Sequence, residues 1–393
     1  MTVPVKRRPL GQLLQRPPRY GVNAAAVPLA LGVPTYIRIT DIDDSGRFSP
    51  DPKVGVSHPG ASNYQLGAGE LVFARTGASV GKSYLYDAAD GELVYAGFLI
   101  NIAPDPKRLN PKYFALFAQS KEYWDWIART SIRSGQPGVN GREYAELPIP
   151  LPDIKTQDAI AGATTDVDGL ISVLGRLIAK KQAIKQGVMQ QLLTGITRLP
   201  GYHGEWGDVD LREIATVTMG QSPSGATYNA VGSGLPLIQG NADIRGRKTL
   251  DRVWTNRPTK VCAAGDVILT VRAPVGFTAY ASKEACLGRG VCGLSAKEDN
   301  QFLFHALTFA EPNWAVYGQG STFAAVNAME VRSFRIGWPW DKAERTAIAR
   351  VLNAVDVEIS TLQRRLAKAK DIKQGMMQEL LTGRTRLPVS AGG

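Results

Sequence analysis

Toward the C-terminal end of the chain, apolar residues recur in alternating steps of four and three: Ile348, Leu352, Val355, Ile359, Leu362, Leu366 and Ala369. That is the seam of a coiled coil, a helix with one face buried against a partner. Beyond Ala369 the pattern shifts by one residue to Ile372, Met376 and Leu380, a local break of the seven-residue repeat. The same series stands 188 residues earlier as Ile160, Thr164, Val167, Ile171, Leu174, Ile178 and Lys181, with Thr and Lys in two apolar places. Each helix, about 40 residues at about 1.5 Å per residue, would be about 60 Å long. Gly162, Gly169, Gly175 and Gly187 weaken the first by up to about 1 kcal/mol each, so each helix is expected to need the other. Pro148, Pro150 and Pro152 precede the first helix and Pro339 the second. Both end at Leu-Leu-Thr-Gly, where Gly195 and Gly383 suit a left-handed cap.

The helix ends are copies. KQGVMQQLLTGITRLP, from Lys185 to Pro200, and KQGMMQELLTGRTRLP, from Lys373 to Pro388, agree at 13 of 16 positions. Upstream, Val167-Asp168 matches Val355-Asp356 and Ile171-Ser172 matches Ile359-Ser360 at the same offset. A repeat of this length is the size of a domain, so the chain is a tandem duplication. Ahead of each helix lie short β-branched or aromatic runs broken by Gly, Pro, Asn and Asp: Thr35–Ile39, Glu70–Ala74 and Leu93–Tyr95, then Pro236–Gln239 and Asp266–Val271. Landmarks correspond between the copies: Gly69-Glu70-Leu71-Val72 with Gly265-Asp266-Val267-Ile268, Ser79-Val80-Gly81 with Pro274-Val275-Gly276, and Val139-Asn140 with Val326-Asn327. Between landmarks little is shared. The expected organisation is a domain over 1–152, a helix and linker over 153–200, a second domain over 201–340, and a second helix with its tail over 341–393.

Composition changes this picture little. The net charge of +11 suits a polyanionic partner, yet residues 201–340 hold 13 basic against 12 acidic side chains, nearly neutral. Three cysteines, Cys262, Cys286 and Cys292, read as reduced thiols. No run of 18 apolar residues is present, and the N-terminal stretch carries basic residues without an apolar core, so a cytoplasmic protein is expected.

Catalytic chemistry is not visible, and no metal site is expected. Gly77–Ser83 imitates a phosphate-binding loop but has three residues between its glycines instead of four. Arg16-Pro17-Pro18-Arg19-Tyr20 lacks the Asn or Asp that would accept a base amino proton. His58, His203 and His305 fall in no ligand spacing.

Two variable domains alternating with two near-identical helices, each ending LLTG-x-TRLP after a proline-containing strip, resemble the specificity subunit of Type I restriction-modification enzymes. The resemblance spans the chain. The Glu-Gln usual inside the first helix is Thr156-Gln157 here, and Glu344-Arg345 in the second. It implies an α+β fold with a pseudo-two-fold internal repeat: two mixed α/β target recognition domains separated by two long helices forming an antiparallel coiled coil. It also implies a non-catalytic chain in which each domain reads half of a bipartite, asymmetric site on double-stranded DNA, the helix pair setting the spacer. Two modification subunits would carry S-adenosylmethionine and the adenine-N6 methyl transfer. The resemblance leaves open whether restriction subunits using ATP and Mg join them, and it implies no cofactor on this chain itself.

Cations pair with guanine and amides with adenine. On that basis the candidate DNA contacts are Tyr36, Arg38, Arg75, Lys82, Arg133 and Gln136 in the first domain. In the second they are Gln239, Asn241, Arg245, Arg247, Lys248, Arg272 and Gln319, with Arg245-Gly246-Arg247-Lys248 expected as three converging cations. Residues alone leave two rivals open, a helix-pair adaptor without DNA specificity and a self-contained modification or cleavage enzyme.

Overall fold

Both seams form single helices, Ile154–Leu192 and Lys342–Leu381, in a computed structural model that describes residues 6–296, 299–314, 325–385 and 387. The chain divides into two units, Met1–Gly175 with Arg364–Gly393 and Arg176–Gln363, so each unit takes part of both helices. Within the first unit Ile160 is buried with Met377, Leu380 and Leu381. Within the second, Ile348 and Leu352 are buried with Met189, Leu192 and Leu193. In both, the start of one helix meets the end of the other, so the pairing is antiparallel.

The expected seam is largely the observed one. Ile160, Ile171, Leu174, Ile178, Ile348, Leu352 and Ile359 are buried, and Val167, Val355, Leu362 and Leu366 half-buried. Its polar members are satisfied: Thr164 Oγ1 donates to the Ile160 and Ala161 carbonyls at 3.0 Å, and Lys181 reaches Glu358 at 2.5 Å. Of the three residues expected after Ala369, Leu380 is buried and Met376 half-buried against the same core, and Ile372 departs. Ile372 is 47% exposed, and Lys373 takes the inward place ahead of Met377 and Leu380. Its side chain is only 16% exposed, and its ammonium pairs with Asp168 at 2.8 Å. The second unit repeats the device, Lys185 pairing with Asp356 at 2.6 Å. These four residues are identical pairs at the repeat offset, which explains their retention: a charged residue in an apolar seam fixes register at some cost in stability.

The helix termini follow local chemistry. Asp153 caps the first by accepting the Thr156 amide, and Asp341 the second by accepting the Ala343 amide. Gly195 and Gly383 both adopt φ of 70° at the C-terminal caps. Gln157 and Arg345, equivalent in the repeat, are both buried and donate to equivalent carbonyls, Pro152 and Trp340.

Each domain carries two larger sheets on one plan. The first has Arg19–Tyr20, Leu99–Ile102, Leu71–Ala74 and Ser83–Leu85 side by side, all antiparallel. In the second domain Thr216–Met219, Val291–Ser295, Val267–Thr270 and Thr278–Tyr280 follow the same order, extended by a hairpin at Ile244–Thr249. The other sheet contains a parallel pair in each domain, Thr35–Ile37 with Leu93–Tyr95 and Leu235–Ile238 with Ala285–Leu287. The proline strips are strands as well: Pro148–Pro150 pairs with Arg7–Pro9, and Arg335–Pro339 with Trp206–Asp210. Each domain is thereby closed where the chain enters and leaves it.

Candidate nucleic-acid interface

Three loops converge at the end of the central strand of each domain. In the first, the Arg75 amide donates to the Phe98 carbonyl (3.0 Å) and the Val139 amide to the Arg75 carbonyl (2.9 Å). In the second, Val271 makes both bonds, to Gly290 (2.9 Å) and from Val326 (2.9 Å). The loop after the strand, the turn between the second and third strands that follow it, and the segment leading into a capping box are thus held together. The capping boxes are Asn140 with Glu143 and Asn327 with Glu330, the chemical reason for the matching Val-Asn landmarks. The Val-Gly landmarks also have a reason. Gly81 and Gly276 sit at φ of 88° and 85°, and a Cβ on Gly276 would lie 2.3 Å from the Trp314 ring.

The sequence candidates divide sharply on this frame. Tyr36 is a core residue: it is 3% exposed, and its hydroxyl donates to the Val22 and Ala24 carbonyls. Its strand is covered on both faces, as members of parallel pairs usually are. Arg38 braces its own loop through a two-point ion pair with Asp41. Arg133 holds Glu143 at 2.5 Å and two backbone carbonyls, steadying the capping box. Lys82 pairs with Asp44, which is 95% exposed, so that pairing is cheap to exchange for a phosphate. Arg75 lies over the Tyr20 ring at 4.9 Å, and Gln136 is exposed with its amide close above Gly77. Arg75, Gln136 and Tyr20 (42% exposed) therefore share one face of the first domain. The phosphate-loop imitation is closed: the Gly77, Val80, Gly81 and Lys82 amides donate to carbonyls of the chain itself.

In the second domain Gln239, Asn241, Arg245, Lys248 and Arg272 are exposed. The three cations of Arg245–Lys248 do not converge. Arg245 and Lys248 pair across a two-residue hairpin turn whose centre, Gly246 and Arg247, has φ of 57° and 63°. Arg247 folds back onto Glu311, the Thr278 carbonyl and the Phe277 ring at 4.3 Å. Arg247→Ala is therefore expected to cost the second domain about 1–2 kcal/mol in urea unfolding, with DNA sequence preference unchanged. A changed preference at undiminished stability would return Arg247 to the reading surface. Gln319 lies outside the described residues.

Sequence reasoning passed over Tyr20, Phe98 and Arg289. Phe98 is 56% exposed and Arg289 is exposed, in corresponding turns. The available signal was an aromatic or a cation set beside glycine between two strands, Gly97-Phe98 and Gly288-Arg289-Gly290. Among the described residues no group of His, Cys, Asp and Glu could hold a metal ion, and no helix is long and apolar enough to cross a membrane.

Residues 57–182 and 203–371 match the family model described as the Type I restriction modification DNA specificity domain. A putative type I restriction enzyme specificity subunit, MjaX, of Methanocaldococcus jannaschii is 29% identical over 345 residues, 83% of this chain and 80% of its own. A Type-I restriction-modification S subunit from M. genitalium superposes with a TM-score of 0.64 at 13% identity, covering 95% of each chain. A chain from a structure of type I R-M complex assembly and conformational transition gives 0.58 at 23%, covering 98% of this chain and 100% of its own. These two structures establish likeness of fold.

Proposed function

The chain belongs to the Type I restriction-modification DNA specificity family, and from that premise we propose how it is employed. Its role is that of a DNA-sequence specificity subunit: each domain reads one half of a bipartite, asymmetric site, and the helix pair sets the spacer and docks the methyltransferase subunits. The finer assignment is that two modification subunits bind it, bringing S-adenosylmethionine and transferring methyl to adenine N6. Restriction subunits driven by ATP and Mg complete the complex. The chain itself performs no catalytic step, and it works in the cytoplasm, where the host DNA lies.

One observation carries this reading. The two domains share frame glycines, capping boxes and sheet order, yet display different side chains on the same loop cluster. The helices, by contrast, agree at 13 of 16 positions through their C-terminal ends. Constant parts suit constant partners, and variable parts suit two different half-sites. Ile184 and its repeat equivalent Ile372 leave an apolar side chain exposed on both helices, suited to a shared protein partner.

Mapping N6-methyladenine in host DNA with and without the gene tests the proposal. A two-part asymmetric motif with an unread spacer should disappear on deletion. An unchanged methylome, or loss of an uninterrupted motif, would overturn it.

A further inference from the structure

We propose that the turn Ala96–Leu99 and its counterpart Gly288–Val291 are the base-reading tips of the two domains, Phe98 with Tyr20 contacting thymine in one half-site and Arg289 contacting guanine in the other. This rests on the specificity reading above and names the bases that each head takes.

The two turns are one backbone device. The Ala96 amide donates to the Ile37 carbonyl (3.0 Å), and the Leu99 amide to that of Ala96 (2.8 Å). The Gly288 amide donates to the Ile238 carbonyl (2.8 Å), and the Val291 amide to that of Gly288 (3.2 Å). Each turn is seated against a glycine of the neighbouring segment. A Cβ on Gly21 would lie 2.2 Å from the Ala96 carbonyl oxygen, and one on Gly220 2.0 Å from that of Gly288. A tip held this firmly loses little freedom on meeting a ligand.

What the tips display is opposite in kind. In the first, Phe98 projects to solvent, and Tyr20 stands on the adjoining strand with Arg75 over its ring. The Tyr20 hydroxyl accepts the Gly141 amide at 3.1 Å, which fixes the ring in place. An exposed, rigid pair of aromatics carries no burial benefit in the free chain. Against a DNA groove it offers apolar contact, which among base edges only the thymine methyl answers. In the second domain the place of Phe98 is Gly290, where a Cβ would lie 2.0 Å from the Gln239 carbonyl oxygen, so no side chain fits. The display moves one residue back to Arg289, whose amide donates to Ser222 Oγ and whose guanidinium has no carboxylate partner among the described residues. Arg272, exposed and equally without one, stands on the loop that meets this turn. Free guanidinium groups on a fixed tip match the paired O6 and N7 acceptors of guanine.

The test uses the assembled complex of the full chain with its modification subunits, selected on randomised duplexes, with the methylated motif read in cells. Wild type should discriminate thymine at one or more positions of one half-site and guanine in the other. Phe98→Ala should lose about tenfold preference at the thymine position while the other half-site stays intact, and Phe98→Leu should retain most of it. Arg289→Ala should lose about tenfold at the guanine and nowhere else. Unaltered preferences in both variants, beside a selective wild type, would overturn this inference and leave the specificity reading standing. A wild-type complex without sequence preference would sink both. Uniform weakening across both half-sites, or failure of either variant to assemble, would place these turns in backbone contact or packing and also overturn it.

Discussion

Arg198→Ala is expected to destabilise the second unit by about 3 kcal/mol, a large loss for a residue outside both helices. Arg198 holds Glu344 at two points, Nε to Oε1 and Nη2 to Oε2, each 2.6 Å, and also donates to the Gly204 carbonyl. Glu344 has 0% exposure, so truncation strands a buried carboxylate instead of returning it to water. Its place in the first turn of the second long helix eases the cost, since free amides there favour negative charge, and this keeps the expected loss toward the lower end. Removing both charges together, Arg198→Met with Glu344→Gln, should cost less than Arg198→Ala alone. Urea unfolding followed through Trp206, whose ring lies 5.8 Å from the guanidinium, reads the difference. A loss under about 1 kcal/mol would mean that water reaches Glu344 once the arginine is gone.

The second large effect is acid sensitivity centred on His305. The ring is buried; its Nε2 lies 2.8 Å from Asn353 Oδ1, and its Nδ1 has no partner. Protonation would put a charge on that unpartnered nitrogen, and burial pushes the pKa down to about 4. The Asn353 hydrogen bond and the nearby Asp356 oppose the shift, while Lys185 adds to it. In the unfolded chain the imidazole takes up a proton near pH 6.5, before the folded form does. The stabilisation is thus fully present above that pH and declines as pH falls from 6.5 to 4, by about 3 kcal/mol. Urea midpoints across this range should fall for the wild type, and His305→Gln should flatten the dependence. An unchanged slope in that variant would assign the acid lability to other groups.

The helices were legible because their signals are local and repeated: period, caps, terminal glycines. Even the polar intrusions at Thr164 and Lys181 could be located, though not their remedies, because a hydroxyl returning to its own helix or a lysine reaching Glu358 leaves no periodic trace. After Ala369 the expected Met376 and Leu380 pack inward, but Ile372, the larger apolar side chain, does not. The inward place fell to Lys373, whose partner Asp168 lies 205 positions away. The reading surface was harder for the same reason. Arg247 looks free until Glu311 folds beside it, and Tyr36 looks outward until Val22, Val56 and Ala61 pack around its ring and the Val22 and Ala24 carbonyls take its hydroxyl. For Phe98 the Gly97-Phe98 signal is weak, because exposure of an aromatic follows from the turn that carries it, and that turn depends on Gly21, 77 positions upstream.

The short sheets that join Arg7–Pro9 to Pro148–Pro150 and Trp206–Asp210 to Arg335–Pro339 bring the two ends of each domain to within one strand spacing, about 5 Å. A segment whose ends are so close behaves as a portable insert. Whatever lies between the clasps can grow, shrink or be exchanged for an unrelated reader without changing the path of the chain on either side. New target sites can therefore be acquired by swapping a whole cassette, while the helices and their charged register marks stay as they are.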